Sequence, residues 1–223
     1  FLSADGNTAI IGGFEDNSKQ GAAWIFTVSN RNYYSVSSNS SPTTLSNWNS
    51  ETNASGSTPI GFTTGDNFII QDGHTVNLTG STSIDFTNSQ FVVNSTGVFN
   101  HSSTGNFITT DVNNAGTINL NNSTGTFQVK RDISNHNAIN GVGTVTLNGT
   151  VTQRINGTGT ISNFLLNNSS GALIFSGAGN TQSLTGTFTS TLGTFNTNDN
   201  LTLKSTSIGT ARVGVVGGSI TGN

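Results

Sequence analysis

The sequence predicts an all-β fold: a right-handed parallel β-helix, or β-solenoid, with a β-sandwich as the alternative. Three observations carry this. Only 8% of the 223 residues are charged, against about 25% in an ordinary globular domain, and Asn, Ser, Thr and Gly fill the difference. There is no Met, and the apolar residues fall in short runs around Phe, Ile, Val and Leu rather than in wide helical stripes. Beyond Phe62 those runs recur about every 8 to 11 residues, each bounded by Gly, Asn or Ser.

Three regions separate by texture. Residues 1–32 hold two short β runs, Thr8–Ile11 and Ala22–Val28, on either side of the polar "FEDNSKQ". Residues 33–61 contain both prolines, Pro42 and Pro59, amid Ser, Thr and Asn, and read as a loop-rich linker or cap. Residues 62–223 carry the strand pattern: "NFIIQ", "HTVNL", "SIDF", "QFVV", "GTINL", "GTFQV", "GTVTL", "GTVTQ", "GTISNFLL", "GALIF" and "LTLKS" among others.

Several details favour a solenoid over a sandwich for this third region. The strands are very short. Asn-Gly hairpin signals cluster at 140–141, 148–149 and 156–157 instead of separating every pair. Asn and Ser/Thr recur after strands, as in "NLNNSTG" (119–125) and "LLNNSSG" (165–171), so stacked coils can align them in hydrogen-bonded ladders. At about 4.8 Å per rung and about 25 residues per coil, the region makes a rod roughly 30 Å long. Most of the 14 Phe residues are expected to stack inside it.

Composition also bounds function. The net charge is −3, from 10 acidic and 7 basic residues, with no basic stripe, so nucleic acid is not an expected partner. No run of about 18 apolar residues occurs, so no membrane insertion is expected. Cys is absent, which removes a disulfide scaffold but not secretion. The polar, uncharged, Thr/Asn-rich balance points to an extracellular setting. The chain opens on Phe1 and is read as a piece of something longer.

No constellation points to catalysis, and the chain is not expected to be an enzyme. The carboxylates are scattered. Asp66, Asp72 and His74 lie close in "GDNFIIQDGH", but Asp-Asn and Asp-Gly are turn dipeptides. "KRDISNH" (130–136) is the densest charged spot and reads as a solvated turn, with Arg131 paired to Asp132 or to a neighbouring coil. His74, His101 and His136 lack metal spacing and read as separate loop histidines. No G-x-S-x-G elbow exists. The glycine-rich "GTGT" (157–160) and "GAGN" (177–180) precede no helix that could cradle phosphate. Trp48, Tyr33 and Tyr34 leave sugar stacking open. Thr-x-Thr steps at 144–146 and within 185–191 raise an ice-binding solenoid as a minor alternative, although "RING" and "NNSSGALIF" interrupt them.

Two resemblances add to this reading. "LSADGNTAIIGGFEDNSKQGAAWIFT" resembles one bacterial repeat of the FG-GAP β-propeller family. That family often holds calcium on acidic loop ligands, so the resemblance implies Asp5, Asn7, Asp16 and Asn17 as candidate calcium ligands. One repeat cannot close a propeller. Residues 33–223 are similar in texture to large surface proteins of gliding bacteria, which are exported by the type IX secretion system and include many adhesins. This implies an extracellular structural or adhesive segment at the bacterial cell surface, acting as a stiff spacer or a filament-forming rod. Its implied partners are flanking domains of the same protein, further copies, or surface glycans. A carbohydrate-binding or polysaccharide-degrading β-helix is the alternative.

Overall fold

The computed structural model describes residues 8–13, 22–27, 30–39, 41–207 and 209–222. The chain divides into two units, Phe1–Arg31 and Asn32–Asn223. In the first, strands Thr8–Gly13 and Ala22–Thr27 pair antiparallel, with Ile10 opposite Ile25. The candidate calcium ligands Asp5, Asn7, Asp16 and Asn17 lie outside the described residues.

The second unit is a β-solenoid, built because the same short pattern returns once per coil, mostly every 18 to 25 residues. In "TVNL", "VFNH", "TINL" and "TVTL" the second and fourth residues are buried and the others are partly exposed. That is the period-two signature of a strand with one face on a core. Each strand is too short to bury that face alone, so it stacks on the equivalent strand of the next coil. Phe127 pairs with Val145, 18 residues on, and Phe195 pairs with Ile220, 25 residues on. Every strand pair between coils is parallel.

Three stacks form the three sides of the coil. The first side contains Asn32–Ser35, Asn67–Ile70, Ile133–Asn135, Gln153–Asn156, Ala172–Ile174, Thr194–Asn196 and Ser219–Thr221. The second is a sheet of seven parallel strands, from Thr75–Leu78 through Val98–His101, Thr117–Leu120, Ala138–Gly141, Thr160–Ile161 and Gln182–Leu184 to Leu201–Leu203. The third includes Thr126–Val129, Thr144–Leu147, Phe164–Asn167, Thr187–Leu192 and Arg212–Val215. Two longer strands, Ile84–Val93 and Asn106–Asn114, turn the corner from the third side to the first. The register between them shifts after Phe86, which bends Ile84–Val93 at that corner.

The core is a column of inward side chains. Val76, Phe99, Ile118, Ile139, Ile161 and Leu184 stack along the second side, all buried. Aromatic rings fill the early coils: Phe107 lies on Phe127 with centroids 4.6 Å apart and planes 2° from parallel. A second aromatic group, Phe164, Phe188 and Phe195, fills the later coils. Aliphatic side chains such as Val145 and Ile155 lie between the two groups.

The stretch 33–61 contributes to this core. Asn32–Ser35 adds a parallel strand beside Asn67–Ile70, and Trp48–Asn49 pairs antiparallel with its outer edge. Trp48 and Tyr33 are buried against Phe68, at 5.3 and 5.8 Å between centroids. The Trp48 indole donates to the Pro42 carbonyl at 2.9 Å, so its N–H is satisfied inside.

Some expected strands move. In "GTVTQ" the strand begins only at Gln153, and Val151 is 55% exposed in the preceding turn. Val151 and Gln153 have the same parity, so it is the turn before Gln153, and not strand alternation, that leaves Val151 outside. Phe175 was expected inside with the other phenylalanines but is 38% exposed. It follows inward Ile174 by one residue, so the pleat points it outward.

Candidate functional site

The outer surface of the first side carries the densest group of charged side chains. Val112, Ile133, Ile155 and Ile174 point inward on successive coils. Strand alternation therefore turns Asp111, Asp132 and Arg154 outward, and Ser134, Asn156 and Phe175 beside them. Together they line a groove of about 250 Å³.

The groove is braced from coil to coil. The Arg131 guanidinium clamps the Asp111 carboxylate with two nitrogens, Nε at 2.8 Å and Nη2 on the other oxygen. The Asp111 side chain is 11% exposed and that of Arg131 59%. The hydrogen bonds that Arg131 donates to Asp111 hold its pKa above the ordinary value. The Asp132 amide also donates to Asp111 at 3.1 Å. Asp132 in turn accepts the Arg154 amide N–H at 2.8 Å. The Arg154 guanidinium lies over the Phe175 ring, 5.8 Å from its centroid, within cation–π range. Of the two ion pairs expected for Arg131, the structure forms the one to a neighbouring coil.

The other sequence candidates do not converge. Asp66 accepts from the Thr64 hydroxyl. Asp72 accepts from the Thr96 amide at 2.8 Å and the Ser95 hydroxyl at 2.9 Å. Those donors, the Thr96 amide first, lower its pKa. His74 shares a hydrogen bond with the Ser35 hydroxyl at 2.8 Å. Asp72 and His74 thus tie one coil to another, whereas the Thr64 hydroxyl bonds Asp66 within its own turn. Among the described residues no three His, Cys, Asp or Glu side chains gather where they could hold a metal.

Two expectations are corrected. His101 is not a loop histidine: it ends strand Val98–His101 and is buried between Leu78 and Leu120 of the adjacent coils. Its Nε2 lies 3.2 Å from the Thr126 carbonyl, and burial lowers its pKa. Of the three rings considered for sugar stacking, Trp48 and Tyr33 belong to the core and present no face to solvent. The Thr-x-Thr steps both lie on the third side, where Asn163 and Leu165 occupy the rung between Thr144–Thr146 and Thr187–Thr189.

Sequence reasoning missed the interior polar side chains. Asn114, Asn135, Gln153, Asn168 and Gln182 are buried. Gln153 donates to the Val129 and Arg131 carbonyls at 2.9 and 2.7 Å, and accepts from the Gly149 amide and the Asn168 side chain at 2.8 and 3.0 Å. Asn114 donates to Asn135 at 2.9 Å. Outside the second side runs a separate ladder: Asn119 donates to Asn100, Asn100 to Asn77 and Asn77 to Asn39, at 2.9, 2.8 and 3.1 Å. Asn119 thus joins an outer ladder as "NLNNSTG" implied, whereas Asn168 of "LLNNSSG" turns inward. Gly and Asn at coil corners are the one sequence signal that marks these positions.

The fold and these ladders define an all-β solenoid in which a set of Asn and Gln side chains joins coil to coil. No protein-family model matches the chain, and comparison with curated proteins and with solved structures returns no match. Among the described residues no helix is long and apolar enough to cross a membrane.

Proposed function

We propose that the chain is an extracellular structural and adhesive segment of a large bacterial cell-surface protein, in which the solenoid is a stiff spacer. The observation that carries this reading is the continuity of bonding along the coil axis. Backbone pairs, the Asn39–Asn77–Asn100–Asn119 ladder and the buried Asn and Gln side chains all link one coil to the next. Stretching or bending such a stack must break many of these bonds together, which is what a load-bearing spacer requires. The last coil also has free strand edges among the described residues, with Leu203, Val213 and Val216 exposed. Such an edge is suited to stacking on a flanking domain or a further copy.

The test is made in the parent protein on the cell. The segment is replaced by a flexible Gly/Ser linker of equal residue number, and attachment of cells to a surface is measured under flow. A stiff spacer predicts weaker attachment with unchanged surface display, scored by antibody labelling of intact cells. Unchanged attachment with normal display overturns the spacer reading.

A further inference from the structure

The geometry points to the groove on the first side as a binding site for a neutral saccharide. This goes beyond the spacer reading and does not depend on it.

The charges that line the groove balance. Asp111 and Arg131 neutralise one another. Asp132 and Arg154 add one charge of each sign, and among the described residues neither has an ion-pair partner. The groove therefore has no net charge with which to draw an anion or a cation. It does keep a carboxylate acceptor and a guanidinium donor side by side, one rung apart. Both are pre-positioned: Asp132 by the Arg154 amide, and Arg154 by the Phe175 ring. A ligand that fits must offer donors and acceptors at close spacing without charge. Sugar hydroxyls do so, since each both donates and accepts.

The remaining wall agrees with that chemistry. Phe175 is the one ring that the solenoid turns outward here, and it presents apolar surface beside the charged pair. The Arg154 guanidinium takes one face of that ring, and the apolar C–H face of a pyranose fits the part left exposed while its edge hydroxyls reach polar groups. Ser134 and Asn156 line the same groove and add polar side chains to its wall. Pockets with a few convergent polar groups around apolar surface are the usual form of small-ligand sites.

The intact chain is screened on an array of neutral and uronate-containing oligosaccharides, and the strongest neutral ligand is then titrated by calorimetry. The expected result is binding to neutral saccharides, weakened at least tenfold by Arg154→Gln and by Phe175→Ala, with the circular-dichroism spectrum of each variant unchanged. Asp132→Asn gives a third variant should either of these fail to fold. Retention of no saccharide, or of uronates only, overturns the proposal. So does binding that all folded variants retain.

Discussion

The Asn135 side-chain amide donates to Gln182 Oε1 at 3.0 Å across an entire intervening coil. The coil between them supplies Gly157 and Gly159 at the crossing point. A Cβ at Gly159 would collide with Asn135 Nδ2, and one at Gly157 with the Asn135 carbonyl. Gly157 also has φ +94°, which other residues rarely adopt. Gln182 fills the space, donating to the Gly157 carbonyl at 2.7 Å and reaching those of Asn135 and Asn156 at 3.1 Å. Gln182→Leu leaves several buried groups unpartnered and is expected to cost on the order of 3 kcal/mol, read from chemical denaturation. Gly159→Ala acts at the same point and is expected to destabilise in the same experiment. A Gln182→Leu chain as stable as the parent would show that these bonds contribute nothing net.

Burial lowers the His101 pKa, and the sign of its effect follows. The unfolded chain takes up a proton below about pH 6.5 while the folded chain resists doing so. Stability from this group is therefore full above that pH and falls as the pH drops toward the folded value. His101→Leu matches Leu78 and Leu120 in the same ladder and removes the titration. The melting temperature of the parent should fall between pH 7 and pH 5 more steeply than that of the variant. Parallel slopes would exclude His101 as the source.

The Asp111–Arg131 pair is expected to respond unequally to its two truncations. Arg131→Ala leaves a largely buried carboxylate with the Asp132 amide as its remaining donor. Asp111→Asn leaves a guanidinium that is mostly in water. The first should cost about 1–3 kcal/mol and the second less than about 1 kcal/mol, both by denaturant titration. Equal costs would mean that the burial of Asp111 does not set the energetics.

Trp48 packs on Phe68 and Phe86 with edge-to-face geometry. Trp48→Ala removes the largest buried side chain of the first coil and is expected to cost about 3–5 kcal/mol. Hydrogen exchange should accelerate most in Asn32–Ser35, the strand paired with Trp48–Asn49, and in Asn67–Ile70 beside it. Protection unchanged there would show that the first coil does not need the indole.

The period-two runs of "HTVNL", "GTINL" and "GTVTL" are legible as strands because each contains its own signal. "ISN" at 133–135 and "QSL" at 182–184 form strands without one. Their pairing comes from coils about twenty residues away, which a local reading does not see. The same holds for the site. Arg131 and Asp132 stand out as charged in the sequence, but Asp111 and Phe175 join them only through register. Trp48 and Tyr33 look like surface aromatics in a Ser/Asn-rich stretch, and only the strand Asn32–Ser35 shows that they are covered.

Composition and spacing by themselves determined the all-β class and the stacking of short strands. Those properties depend on side-chain alternation and on a repeat near one coil, and both are written linearly in the chain. Which corner holds a buried amide, which ring faces out and which carboxylate meets which guanidinium were decided by tertiary structure alone. The first coil takes 35 residues and the later ones 18 to 25, so the partner of any residue is set by the register of the whole stack and not by a fixed offset.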